Sequence, residues 1–224
     1  MSERFDIRLA LIEKDRRAVR ALRLQTARRD PYGPIQDGEA EPILEGIYLL
    51  GAFDNENGRA VGFLRMHVQE DPPAPDAHVL HLERFGQYNP HHIAVISELG
   101  TAKDIERDAD IVVALLHQAV CVSLLHRLEF MCGAFEGEWL PLLKSIGFRE
   151  YVSEEVYRDQ EGGVPLAISV SDSQYLVDIG SRIAPLASAF ARNEFSVSFF
   201  HKLIERSTCD VGDGSCRKDA RDRN

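Results

Sequence analysis

The stretch IAVISELG, residues 93–100, decides the fold of this chain. Its near-continuous apolar start, bounded by polar connections, is the pattern of a strand buried on both faces and therefore placed mid-sheet. Residues 104–128 follow as a long helix, apolar nearly all round, including the run IVVALLHQAVCVSLL at 111–125. A helix without a polar face belongs inside a core. EFMCGAF, residues 129–135, then reads as a second buried strand.

On the N-terminal side, residues 5–12 alternate as a strand, and residues 13–30 carry the apolar stripe of an amphipathic helix through Val19, Leu22 and Leu24. DPYGPIQDGEAEP, residues 30–42, is dense in Pro and Gly and reads as a surface connection. IYLLGAF (47–53) and RAVGFLRMHV (59–68) flank DNENG, whose Asn57-Gly58 supplies the positive φ angles of a tight hairpin. HVLHL (78–82) is expected as a short strand, and ERFGQYNPHH (83–92) as a polar loop.

On the C-terminal side, LLKSIGF (142–148) ends a short helix spanning 138–146. Gly147 closes that helix with a positive φ, and Phe148 opens a strand running to 157. VPLAISVS (164–171) reads as one more strand. SDSQYLVDIGSRIAPLASAF (171–190) and NEFSVSFFHKLIE (193–205) read as amphipathic helices, capped by Ser171 or Asp172 and by Asn193. The order implies an α/β chain, with a mixed sheet carrying helices on its faces.

The bulk properties exclude several functions. Hydrophobic residues at 44% and charged residues at 28% describe a soluble globular chain rather than a disordered one. A net charge of -10 argues against nucleic acid, which needs a clustered basic surface. MSERFDIRLALIEKDRR at the start lacks the apolar centre of a secretory signal, so a cytoplasmic location is expected. The run at 111–125 is short for a membrane span and carries His117 and Gln118, so no span is expected. Cys121 and Cys132 lie in apolar stretches, while Cys209 and Cys216 bracket DVGDGS in a polar tail, so no disulfide framework follows. His78, His81, His91 and His92 come with no Cys or carboxylate spacing that would make a metal site.

GFLRMHV, then IAVISELG with its long helix, then EFMCGAF with EWLPLLKSIGF, together resemble the N-acyltransferase fold of the acetyltransferase (GNAT) superfamily. ALRLQTARRDPYG with Arg23, ILEGIYLLGAF, Arg65 in FLRMHV, and GGVPLAISVSDSQYLVDIGSRIAPLA are similar to one branch of it. That branch holds the acyl-homoserine-lactone (autoinducer) synthases and the long-chain N-acyl amino acid synthases. The resemblance covers residues 7–190. The expected organisation is an acyltransferase domain over 1–170, a helical extension packed on it over 171–206 and, from its polar composition, a disordered tail over 207–224.

The resemblance also implies a central strand that splays from its neighbour, so that Ile96, Leu99 and Gly100 face the pantetheine arm of an acyl donor. Glu98 would emerge at that opening as a candidate base, or else as an ion-paired strand-end carboxylate. Ser97, expected on the opposite face, is a second candidate or simple packing. Arg23 and Arg65 could hold an acceptor carboxylate or pair with Glu45 and its neighbours. Trp139, Leu140, Leu142 and Leu143 would line an acyl pocket or fill the core.

Three features depart from the superfamily's pattern. GTAKDIERDAD (100–110) has one glycine and four carboxylates where acetyl-CoA enzymes hold a pyrophosphate on a glycine-rich loop. An acyl carrier protein, or a CoA phosphate held by Lys103 and Arg107, suits it better. Glu98 stands where the synthase branch has an arginine, and Leu143 where a leaving-group tyrosine is usual. The expected activity is transfer of a fatty acyl group from an acyl-carrier-protein or acyl-CoA thioester to the amine of a small molecule, without a metal. The alternatives are acetyl-CoA-dependent N-acetylation and a noncatalytic acyl-binding relative.

Overall fold

A computed structural model describes residues 4–26, 45–68, 80–88, 91–105, 108–157, 163–188 and 194–209. Its frame is a seven-stranded sheet in the order β1-β2-β3-β4-β5-β7-β6. In chain order the strands are β1 (Phe5–Leu9), β2 (Ile47–Asp54), β3 (Ala60–Val68), β4 (Ile93–Thr101), β5 (Phe130–Phe135), β6 (Arg149–Glu150) and β7 (Val164–Ser169). β4 and β5 pair in parallel; every other neighbouring pair is antiparallel. A parallel pair requires a crossover. Helix α2 (Asp108–Leu125) makes it, which is why residues 93–135 determine the architecture.

The apolarity of α2 is explained by what it touches. Ile111, Leu115, Leu116, Ala119 and Val120 share one core with Leu50, Leu64, Met66, Ala94 and Ile96 from the sheet. By length and composition α2 could cross a membrane, yet it packs against β1 to β4. Helices α3 (Leu140–Ile146), α5 (Ser173–Asp178) and α6 (Ala184–Ala187) complete this core with Leu143, Ile146, Leu176 and Ile183.

The opposite face of the sheet is covered in two parts. Helix α1 (Glu13–Thr26) sets Val19 and Leu22 against Leu49, Phe53 and Phe63. Beside it, a 3-10 segment at Leu82–Tyr88, kinked at Gly86, and helix α7 (Glu194–Cys209) enclose an aromatic cluster on β5. Phe130 lies 5.3 Å from Phe85, 5.2 Å from Tyr88 and 5.5 Å from Phe200 between ring centroids.

The expected strand at 78–82 is not one where it is described: Leu80, Leu82, Phe85 and Tyr88 are buried at spacings of two and three, which a 3-10 turn satisfies. The strand expected over 148–157 is two residues long and gives way to a short helix, α4 (Glu154–Tyr157). The single helix expected over 171–190 is broken into α5 and α6, because Gly180 takes φ +67° between them. Asp172 caps α5, accepting from the Tyr175 N–H. In the β2–β3 hairpin only Gly58 has a positive φ, and the Gly58 N–H donates to the Asp54 carbonyl at 2.7 Å.

LLKSIGF behaves as its sequence suggests. Gly147, at φ +120°, donates its N–H to the carbonyls of Leu143 and Lys144, and Phe148 packs edge-on against Phe135 at 5.7 Å. The tail expected over 207–224, including Cys216, lies outside the described residues from 210 onward.

Candidate active site

The sheet forks between β4 and β5. Their ladder runs Ile93–Phe130, Ala94–Met131, Val95–Cys132 and Ile96–Gly133 and ends there, although β4 continues to Thr101 and β5 to Phe135. Beyond Ile96, β4 is paired along the β3 side. Gly133 forms the last rung because nothing larger fits: a Cβ at that position would lie 2.7 Å from the Ile96 carbonyl oxygen and 2.7 Å from the Phe135 ring.

On the other edge of β4, at the same level, the ladder with β3 slips. Met66 pairs with Ile96 and Arg65 with Glu98, so Ser97 is the extra residue of a bulge. Bulges re-aim side chains. Without this one, the alternation that buries Ile96 toward α2 would send Glu98 into the same apolar core. With it, Glu98 joins Arg65 on the face covered by α1.

There Glu98 is clamped. Arg23, from the last turn of α1, donates Nε–H to Oε2 and Nη2–H to Oε1, each at 2.5 Å. Arg65 Nη1 lies 3.5 Å from Oε1. The arginine side chains are 3% and 4% exposed and that of Glu98 14%, so the group is a buried charge cluster rather than a surface pair.

Ser97, one residue past the α2-facing Ile96, is on this face by ordinary alternation, and the bulge brings Glu98 to it, so the two do not point to opposite faces as expected. The Ser97 Oγ lies 3.1 Å from His67 Nε2 and donates to the Arg65 carbonyl at 3.4 Å. His67 is buried, and burial, with a smaller push from the charge of Arg65, lowers its imidazole to about 4. It is neutral at neutral pH. Sequence reading passed over His67; the signal was present as two polar residues, Arg65 and His67, on one face of the otherwise apolar GFLRMHV.

The structure thus brings Arg23, Arg65, Ser97 and Glu98 together. Ile96 sits at the fork with its side chain in the α2 core, and Leu99 is half-buried against that core. Gly100 pairs with Phe63, whose ring would lie 2.9 Å from a Cβ there. Lys103 is exposed in the connection from β4 to α2. Beside it Asp104 is held by Arg59 at 2.8 and 3.0 Å, which keeps its carboxyl below the usual range. Arg107 lies outside the described residues. Leu143 is fully buried in the α2-side core, Trp139 is half-buried at the start of α3, and Glu45 is exposed before β2. Cys132 is buried, which pushes its thiol up and makes it a poor nucleophile. Among the described residues no group of three or more His, Cys, Asp or Glu is placed to hold a metal.

No known protein family and no curated protein matches the sequence. Solved structures do match the fold. FeeM, an N-acyl amino acid synthase from uncultured soil microbes, superimposes with a TM-score of 0.61 at 12% identity, over 82% of this chain and 97% of that one. The AHL synthase LasI gives 0.54 at 12% identity, over 74% and 89%. TofI, solved in a ternary complex with an inhibitor and MTA, gives 0.53 at 15% identity, over 81% and 98%. The chain has the GNAT acyltransferase fold, and its structural neighbours include the synthase branch that the sequence resembles.

Proposed function

We propose that this chain is an N-acyltransferase that moves a fatty acyl group from a thioester, borne by an acyl carrier protein or CoA, to the amine of a small molecule. The observation that carries this reading is the fork at Ile96–Gly133. Backbone groups of β4 beyond it have no rung to β5, so a pantetheine arm can bond there as a surrogate strand and bring its thioester to the Ser97–Leu99 backbone. An N–H at that place stabilises the oxyanion of the tetrahedral adduct. The likeness to FeeM and LasI supports the reading.

Arg23 and Arg65 are the acceptor-side groups. Glu98 accepts from the Arg23 fork through both oxygens, so its role here is to orient the guanidiniums more than to take a proton. Arg65, whose contact with Glu98 is longer, is the group assigned to an acceptor carboxylate. Lys103 and Arg107 are assigned to the donor's phosphate, and Leu143 and Trp139 to the apolar surroundings of the acyl chain. The four carboxylates of residues 100–110 favour a carrier-protein donor over the pyrophosphate of CoA.

The test is direct. The protein is incubated with acyl carrier protein or CoA loaded with short or long acyl chains, together with a panel of amino acids and S-adenosylmethionine, and products are read by mass spectrometry. N-acylated long-chain products support the proposal. Acetylation alone, or donor binding without turnover, overturns it.

A further inference from the structure

Ser97 stands where β4 has just left β5 and slips against β3, and His67 reaches it from β3. Ser97 is both the bulge residue and the first residue past the last β4–β5 rung, and its Oγ lies 3.1 Å from His67 Nε2 and 3.4 Å from the Arg65 carbonyl oxygen, so its single proton can be given to the carbonyl or, with the ring in its Nδ1–H tautomer, to Nε2. We propose that Ser97 and His67 form a proton relay at the mouth of the fork, in which Ser97 touches the reacting amine and His67 receives the proton behind it. The inference rests on the acyl-transfer reading above and deepens it by naming where the amine's proton goes.

The step balances as follows. The unprotonated amine attacks the thioester carbon with its lone pair, forming the C–N bond. The N–H proton of the adduct passes to Ser97 Oγ while the hydroxyl proton of Ser97 passes to His67 Nε2. The C–S bond then breaks, and the thiolate leaves and takes the proton. No oxidant or metal enters.

Three features suit the pair to this work. His67 is neutral at neutral pH, so one ring nitrogen has a lone pair to offer. The proton on the adduct nitrogen is far more acidic than that of a free ammonium, so an imidazole of low basicity suffices. When Nε2 carries the proton, the hydroxyl can turn to the Arg65 carbonyl, which gives the relay a second resting position. Arg65, on the same strand, is the charged group that acts on the His67 ring, and Glu98 and Arg23 lie beyond it in the cluster that Arg65 joins. Its register partners Ile47 on β2 and Val95 on β4 are apolar, and α2 packs on the opposite face. Burial and the neighbouring positive charge of Arg65 disfavour the imidazolium, which sends the proton onward to the thiolate.

The test compares the wild type with His67→Gln, Ser97→Ala and the double variant, using whichever donor and acceptor the wild type turns over. Each single change lowers kcat roughly 100-fold with KM within roughly threefold, and the double is no slower than the worse single, because the two groups act as a unit. The wild type's acid limb of kcat near pH 4 is absent in His67→Gln. If His67→Gln does not fold, Ser97→Ala alone carries the kinetic comparison. Wild-type kcat in Ser97→Ala or His67→Gln, or losses that multiply in the double, overturns the relay and leaves the acyltransferase reading standing. A wild type that turns over no donor overturns that reading, and the relay with it, before any variant is made.

Discussion

Arg23 and Glu98 stand 75 residues apart in the chain and meet through two hydrogen bonds of 2.5 Å, inside a cluster that also holds Arg65. The pair ties α1 to the central strand at the level of the fork. Removing one member of a buried ion pair leaves the other charge uncompensated and costs about 3–5 kcal/mol. Glu98→Gln removes the carboxylate that both guanidiniums contact, so urea unfolding should show a loss of about 3 kcal/mol. A loss below about 1 kcal/mol would mean that water already screens the cluster.

His67 makes stability depend on pH. Its folded-state value of about 4 lies below the 6.5 of an unfolded chain, so between these limits the unfolded state binds more protons. Its contribution is fully present above pH 6.5 and is lost as pH falls toward 4. The wild type should lose about 2 kcal/mol more than His67→Gln over this window, after allowance for screening by solvent. Parallel stability curves for the two proteins, measured by denaturant titration at several pH values, would show that the ring titrates normally.

Much of this architecture is legible in residues 93–135, because β4, α2 and β5 are each apolar for a local reason that pattern exposes. The site is less so. Strand alternation puts Ser97 and Glu98 on opposite faces, and only the bulge, a property of how β4 registers on β3, brings Glu98 to Ser97, Arg65 and His67. That Arg23 reaches Glu98 is likewise a matter of how α1 lies across the sheet. The break between α5 and α6 had a visible signal in Gly180, which the apolar periodicity of the flanking residues masked.

Gly133 should tolerate no side chain. The nearest atom to a Cβ there is the Ile96 carbonyl oxygen, a backbone group held in the ladder, and it cannot swing away as a flexible side chain would. Gly133→Ala should therefore cost about 1–3 kcal/mol and move the last rung between the two strands. Thermal unfolding reads the cost. Unchanged stability would mean that the fork is looser than its ladder implies.

The C-terminal helix should be integral to the domain. Phe200 is fully buried against Phe130, and Arg149 lies 4.5 Å over its ring and 4.2 Å over that of Tyr175. A hydroxyl chain from Ser171 through Ser196 to Glu129 fastens the same helix. Phe200→Ala should cost about 3–5 kcal/mol. If α7 were a loosely docked appendage, chemical denaturation would show under about 1 kcal/mol.

Arg65 is where the proposed chemistry and the buried charge can be separated. Arg65→Lys keeps the positive charge opposite Glu98 but replaces a planar fork, able to bind a carboxylate with two parallel N–H groups, by a single ammonium. Stability should change little. Should the acceptor be an amino acid whose carboxylate this fork holds, its KM rises about tenfold, equivalent to about 1.4 kcal/mol of lost binding. The kcat stays close to wild type, because the reacting atoms are untouched. An acceptor lacking the carboxylate should show no such rise, so the ratio of the two KM changes reads the contact itself. Equal changes for both acceptors would assign Arg65 to the Glu98 cluster alone and remove it from acceptor binding.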